Sequence, residues 1–358
     1  MMNDEQKPGV PQAGSVSKGA QPSTSGVPAT TVPQTGQAPA RLAEDRVIWR
    51  IRDLFSRYGI FITLVFMVVV SALLSPGFLK SNNLLIMSRQ ASMLGIVAVG
   101  QTFVILSGGI DLSVASVMAL VSVMTAHMMD GQDARVLPIA VLCLVIAAGI
   151  GLANGLLVTR FKIAPFIATL GMVLLIQGAR FVYTGGAPKG SIPDAIRFWG
   201  RGLIGTIPTS VIIWMLVAII GAVILSKTVL GRRIYAVGGS AEASNLSGVN
   251  VNRVTTTAYV VCSLLAGVAG LVLTGYIGLA DNWLGRGYEL DSIAAVVLGG
   301  ASLDGGRGSV WRTVAGVLII AVLYNIVLRL TLPEETQRII KGVVILAAVA
   351  LYQATRRQ

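Results

Sequence analysis

From Tyr58 onward, long apolar runs alternate with short polar or glycine-rich interruptions. Several runs approach the roughly 20 residues that a helix needs to cross the hydrocarbon core of a bilayer. The pattern predicts spans at about 58–75, 86–106, 113–129, 136–159, 163–183, 211–225, 255–279, 290–303, 310–330 and 338–353. Those at 113–129, 211–225 and 290–303 are short for a full crossing. The expected fold is therefore an all-α polytopic membrane protein with about ten transmembrane helices, some of them short or broken. An even number of spans places both chain ends on one side of the membrane.

Upstream of the first span, residues 1 to about 40 are rich in Pro, Gly, Ser, Thr and Gln and nearly devoid of large apolar side chains. Such a segment cannot bury enough surface to offset the entropy of ordering. The chain divides into a disordered cytoplasmic tail, 1–45, and a membrane domain, 46–358. Arg41, Arg46, Arg50, Arg52 and Arg57 hold the N-terminus in the cytoplasm, and Arg356 and Arg357 do the same for the C-terminus. The loops between spans show a moderate positive-inside bias, and one span more or fewer would invert everything after it. Two extramembrane segments exceed a simple turn: 183–210, expected outside, and the cationic 226–254, expected in the cytoplasm.

Composition agrees with this reading, since 54% of residues are hydrophobic and 12% are charged. That is far from the roughly 25% charge of soluble domains. The formal net charge of +12 comes from cations scattered singly between apolar runs, a distribution that points to anionic membrane lipid rather than nucleic acid. Cys143 and Cys262 lie inside apolar runs, so neither a structural disulfide nor a cysteine metal site is expected. His127 ends an apolar segment near Asp130 and Asp133 and reads as a loop-edge residue.

Two segments interrupt the spans with paired glycines. Leu106-Ser107-Gly108-Gly109-Ile110-Asp111-Leu112-Ser113 allows a backbone break, after which Asp111 or Ser113 can cap the helix resuming at Val114. This is either a capped turn or a broken helix lining a wet cavity, as in transporters. Its Leu-Ser-Gly-Gly matches the start of an ATPase signature, but the chain holds no Gly-Lys pair for the P-loop that the signature requires. The second segment, Val297 to Gly308, shares Gly-Gly-x-x-Leu with the first, from Gly299 and Gly300 to Leu303. Internal repetition and coincidence both account for the echo.

Gly231 to Arg253 forms a cationic loop in which Ser240 can cap a short helix running to Leu246, with Gly248 ending it. Such a helix suits docking into a partner's groove, and it equally suits a membrane-surface turn. At these residues the chain resembles the permease subunits of ribose- and xylose-type ABC importers. The resemblance covers about Tyr58 to Tyr352 and rests on four ordered blocks: Leu106 to Ser113, Ala164 to Met172, Gly238 to Arg253, and Gly287 to Gly308.

The resemblance implies about ten helices in a bacterial inner membrane and two permease copies. It also implies a cytoplasmic ABC ATPase and a periplasmic sugar-binding protein. The function to expect is transfer of a monosaccharide or polyol by alternating access, with no catalytic residue, metal or cofactor on this chain. Glu242, Ala243 and Gly248 look like a reduced form of the importer coupling motif, with Ser244 where the family has alanine. ATPase coupling is assigned to Gly239, Ser240, Glu242, Ala243, Leu246, Gly248 and Arg253. Gly108, Gly109, Asp111, Gly299 and Gly300 are assigned to the pathway, and Asp194, Arg197, Asp281 and Arg286 to binding-protein contact. The chief alternative is an ion-gradient-driven secondary transporter, for which Asp111 and Asp291 are the only candidate carboxylates. An intramembrane enzyme lacks an evident nucleophile and base, and one histidine cannot build the usual metal sites.

Overall fold

The computed structural model describes residues 59–329 together with positions 335, 336, 339, 340, 342 and 343. The proposed tail and the span at 338–353 therefore lie wholly or mainly outside the described residues. Twelve helices are named here in chain order. They are α1 (Gly59–Leu74), α2 (Ser81–Leu106), α3 (Val114–Met124), α4 (Val136–Thr159), α5 (Pro165–Thr184) and α6 (Asp194–Arg201), then α7 (Thr209–Lys227), α8 (Val229–Gly239), α9 (Ala241–Leu246), α10 (Val251–Ile277), α11 (Tyr288–Leu298) and α12 (Val310–Arg329).

Among the described residues six helices are long and apolar enough to cross a membrane: α2, α4 with its preceding turn, α5, α7, α10 and α12. The fold is a helical, multi-pass membrane protein. α1 is shorter, and α3 reaches Met129 only by widening into a π-turn at Thr125. The run predicted at 290–303 does not continue as helix. α11 is 11 residues long and stops at Leu298, because Gly300 takes a positive φ of 78° and turns the chain away. The predicted 183–210 loop is also more ordered than its composition implies. Pro193 precedes α6, and a two-residue hairpin pairs Leu203–Ile204 with Ile207–Pro208.

α2 and α10 form the centre. In α2, 89% of the apolar window is buried, against 28% in α4 and in α5, whose Leu, Ile and Val side chains face outward where lipid would lie. Lipid tails are as apolar as leucine, so helices in a bilayer associate through close backbone approach and polar pairs rather than apolar burial. Both devices are present. Ala147, Gly151 and Gly155, spaced by four, turn one face of α4 to α10. A Cβ at Gly155 would lie 2.7 Å from the Thr256 Cα. Asn83 and Asn325 exchange amide hydrogen bonds of 2.9 Å between α2 and α12, and the Thr102 and Thr313 hydroxyls meet at 2.9 Å.

Candidate functional site

The break between α2 and α3 is held by its aspartate. Asp111 is fully buried, and its Oδ1 accepts from the backbone N–H and the hydroxyl of Ser113 at 2.8 and 2.6 Å. Its Oδ2 accepts from Ser263 of α10 at 3.4 Å, and Asn154 of α4 donates to the Ser113 hydroxyl at 2.9 Å. The Gln101 amide, in the orientation its neighbours require, bonds both backbone groups of Asp111 at 3.2 Å. Non-helical backbone at membrane depth must be satisfied from within the protein. Here four elements meet that demand around one carboxyl. Gly108 has φ 84°, which only glycine adopts without strain.

The second break lies between α11 and α12, and the structure brings it against the first. The Gly306 N–H donates to the Leu106 carbonyl at 3.0 Å. The helices flanking the two breaks differ in order of length, 26 then 11 residues against 11 then 20. Both breaks also receive the end of α8. A Cβ on Gly238 would overlap the Leu106 carbonyl oxygen and crowd the Gly306 nitrogen, and one on Gly306 would fall 2.7 Å from the Gly239 nitrogen. Tyr235, one turn earlier, donates its hydroxyl to the Gly308 carbonyl at 2.9 Å, and burial pushes its phenol above the usual range. Gly238, absent from the residues singled out by sequence, is thus the tightest point of a three-way glycine junction.

α9 follows directly. Ser240 caps it by accepting from the Ala243 N–H at 3.2 Å, Gly248 turns the chain at φ 79°, and Asn250 caps α10 through the Arg253 N–H at 3.0 Å. Glu242 and Arg253 are exposed, and Leu246 is 84% exposed despite being apolar. Ser244, the residue that departs from the family pattern, is the buried one. Beside α9 opens a groove of about 550 Å³, lined by Lys162, Glu242, Asn245, Asn250 and Asn252 among others.

The remaining candidates collect at the far end of α10, which at 27 residues is about 40 Å long. α6 packs there. Gly275 has no room for a Cβ because the Ile196 carbonyl occupies its place, and the Arg201 guanidinium donates to the Tyr276 and Ile277 carbonyls that end α10. On α6 the exposed Asp194 pairs with the half-buried Arg197 at 3.9 Å. Asp281 accepts from the Trp283 N–H at 2.9 Å, and the Arg286 guanidinium lies 5.2 Å from the centre of the Trp283 ring. Exposed His127 meets Tyr183 edge-on at 5.2 Å, a loop-edge position.

Arg286 and Trp283 also line a cavity of about 500 Å³ between α3, α5 and the 282–290 segment. Leu112, the residue after Asp111, is part of its wall, so the first break borders this space while the Asp111 carboxyl itself points elsewhere, to α10 and Ser113. The cavity contains Gln177 and Arg180, which sequence reasoning passed over, together with Asn282 and Glu289 from the segment it gave to binding-protein contact. A signal was available for one of them. Arg180 is a cation inside the predicted 163–183 span, and an ionisable residue within a span is a functional candidate by default. Both cysteines are buried free thiols.

Residues 83–349 match the family described as "Branched-chain amino acid transport system / permease component". The chain is 43% identical over 297 residues to the ribose import permease protein RbsC of Bacillus subtilis, an alignment covering 82% of this chain and 92% of that protein. It is 41% identical over 292 residues to the ribose import permease protein RbsC of Escherichia coli, covering 80% and 91%. It is 33% identical over 299 residues to the D-allose transport system permease protein AlsC of Escherichia coli, covering 83% and 91%. No solved structure matches the chain. The family match spans most of the chain and the sugar permeases align over nearly their whole length, so this chain belongs to the branched-chain amino acid transport system permease family, whose members are membrane-spanning transport subunits.

Proposed function

We propose that this chain is the membrane-spanning permease of a binding-protein-dependent ABC importer that carries a monosaccharide or related polyol by alternating access. ATP is hydrolysed on a separate cytoplasmic ATPase subunit, a periplasmic sugar-binding protein delivers the solute, and a second permease copy completes the pathway. The full count is ten spans. α1, the α3 π-turn helix, α11 with its broken continuation and the 338–353 segment add to the six long helices, and both chain ends lie in the cytoplasm. The division of the chain into a tail, 1–45, and a permease domain, 46–358, is part of this reading.

The observation that carries this reading is the position of α9. An apolar residue, Leu246, stands 84% exposed on a capped helix beside a polar groove, and the preceding helix bonds the second broken segment through Tyr235 and packs its Gly238 against the first. A partner that pulls on α9 therefore acts on the two places where the transmembrane backbone is already interrupted. The matches to ribose and D-allose permeases support a sugar as cargo.

The test is uptake into proteoliposomes by the chain reconstituted with its ATPase and binding protein, comparing internal ATP with an imposed proton or sodium gradient. ATP-dependent uptake of D-ribose, D-allose or L-arabinose is expected. Uptake by the chain alone on an ion gradient overturns the importer reading in favour of secondary transport.

A further inference from the structure

The cavity between α3, α5 and the 282–290 segment joins two places of importance. Its wall includes Leu112 at the first break and Arg286 in the loop beside α6, so it extends from the extramembrane end of α5 toward the interruption in the bundle. At about 500 Å³ it falls within the range of small-molecule sites, roughly 300–1,000 Å³. Its lining also has the usual make-up of such sites, apolar walls from Ala115, Ala119, Leu170 and Val173 with a few convergent polar groups.

Two of those polar groups are buried and incompletely satisfied. Arg180 is 3% exposed; its guanidinium donates to the Asn282 carbonyl, but its Nε has no partner among the described residues. Asn282 is also 3% exposed; its amide nitrogen donates to the Thr184 hydroxyl at 3.3 Å and the Gly186 carbonyl at 3.2 Å, while its Oδ1 has no partner among the described residues. Buried polar atoms are nearly always paired, so each exception calls for a partner. An unspent donor and an unspent acceptor on neighbouring side chains lining one cavity suit a hydroxyl, which both donates and accepts. Gln177 adds an amide with both capacities, and Glu289, held by the Gly287 N–H at 2.9 Å through Oε2, adds acceptors. Trp283 supplies a flat apolar face with an exposed ring, supported on one side by Phe181 at 5.7 Å.

We infer that this cavity is where the solute rests during passage, and that it is built for a neutral polyhydroxylated molecule, whose hydroxyls meet Gln177, Arg180, Asn282 and Glu289 and whose carbon face lies on Trp283. The inference deepens the importer reading and rests on it. The lining carries charges of both signs, the Arg180 and Arg286 guanidiniums and the Glu289 carboxylate, so a cargo of either net charge meets repulsion as well as attraction. A zwitterion is the competing cargo, and the test separates the two.

The experiment uses the full reconstituted complex and radiolabelled D-ribose, D-allose, L-arabinose and L-leucine. Gln177→Met keeps side-chain length while removing the amide, and Trp283→Ala removes the ring. Each is expected to lower sugar uptake about tenfold, the loss typical of one hydrogen bond or ring contact, with Trp283→Phe recovering most of it. Leu174→Ala, on the outward face of α5, is the control. A readout that a packing role would not move is protection: in Gln177→Cys, an impermeant thiol reagent should label position 177, and D-ribose should slow the labelling during turnover. Both native cysteines are buried, which keeps the background low. Unchanged uptake in both variants, or labelling at 177 that no sugar slows, overturns the inference while leaving the importer reading intact. Transport of L-leucine, with protection by it, overturns the polyhydroxylated class. A wild-type complex that carries none of the three sugars overturns both the importer reading and this inference.

Discussion

Asp111 shows how a single residue can be read correctly in kind and still be given its role only by its neighbours. Its carboxyl accepts from Ser113 twice and from Ser263 once, and the residue's backbone is paired with Gln101. Asn at this position keeps an acceptor for Ser113 and offers Ser263 an amide to which its hydroxyl oxygen can turn. Asp111→Asn is therefore expected to leave thermal stability of the purified protein nearly unchanged. Asp111→Leu orphans the Ser113 N–H and takes the acceptor from the Ser113 and Ser263 hydroxyls, at a cost on the order of 1–3 kcal/mol for each buried group left unpaired. A large fall in melting temperature for Leu and a small one for Asn is the expected pair of results. Equal losses for both would mean that the charge, not the hydrogen bonding, matters here, and would reopen an ion-coupled role.

At the scale of elements, the glycines decide where helices can touch. Gly238 and Gly239 are adjacent in sequence and alike by composition, yet a Cβ on Gly238 would overlap the Leu106 carbonyl oxygen, while one on Gly239 meets nothing within 4 Å. Gly238→Ala should force α8 away from both breaks and abolish or sharply reduce uptake, and Gly239→Ala should be tolerated. Parallel uptake assays of the two variants check this contrast, and equal behaviour would mean that the junction does not transmit motion. The same argument separates Gly151 and Gly155, pressed on the α10 backbone, from Gly149, which lies two positions before Gly151 on the other side of α4 and faces open space. The two-glycine breaks and the capped α9 were legible in the sequence because caps and glycine turns are local. The α6 helix within 183–210 was not, since its stability comes from Ile196 and Gly200 packing on the end of α10, nearly 80 positions further along the chain.

For the whole molecule, α10 sets the distance between two groups of candidate residues. Leu246 and the groove beside α9 lie next to its first turn, and Asp194, Arg197, Asp281 and Arg286 lie beside its last. If the cationic 226–254 segment is cytoplasmic, the two ends must be reachable from opposite sides of the membrane. Leu246→Cys is expected to react with an impermeant maleimide only after the cytoplasmic face is opened, and Asp194→Cys to react in intact cells from which any outer membrane has been removed. Labelling of both from one side would invalidate the span count, because each added or lost crossing reverses the side of everything after it.

The sequence alone determined the class of protein, the approximate limits of most spans, the capped α9 and the family blocks. Each of these depends on hydropathy over about 20 residues or on spacing within a few. It could not separate a capped turn from a broken helix at Gly108–Ser113, nor show that the two glycine breaks meet. Nor did it bring Arg180 of α5 together with Asn282 and Glu289 more than 100 positions away. Those facts depend on contacts between segments distant in the chain, formed where backbones approach closely and where buried polar groups must find partners. In this protein the pairing of Asp111 with Ser263, of Ser113 with Asn154 and of Arg180 with Asn282 ties the first break to α10 and α4 and the wall of the cavity to α5.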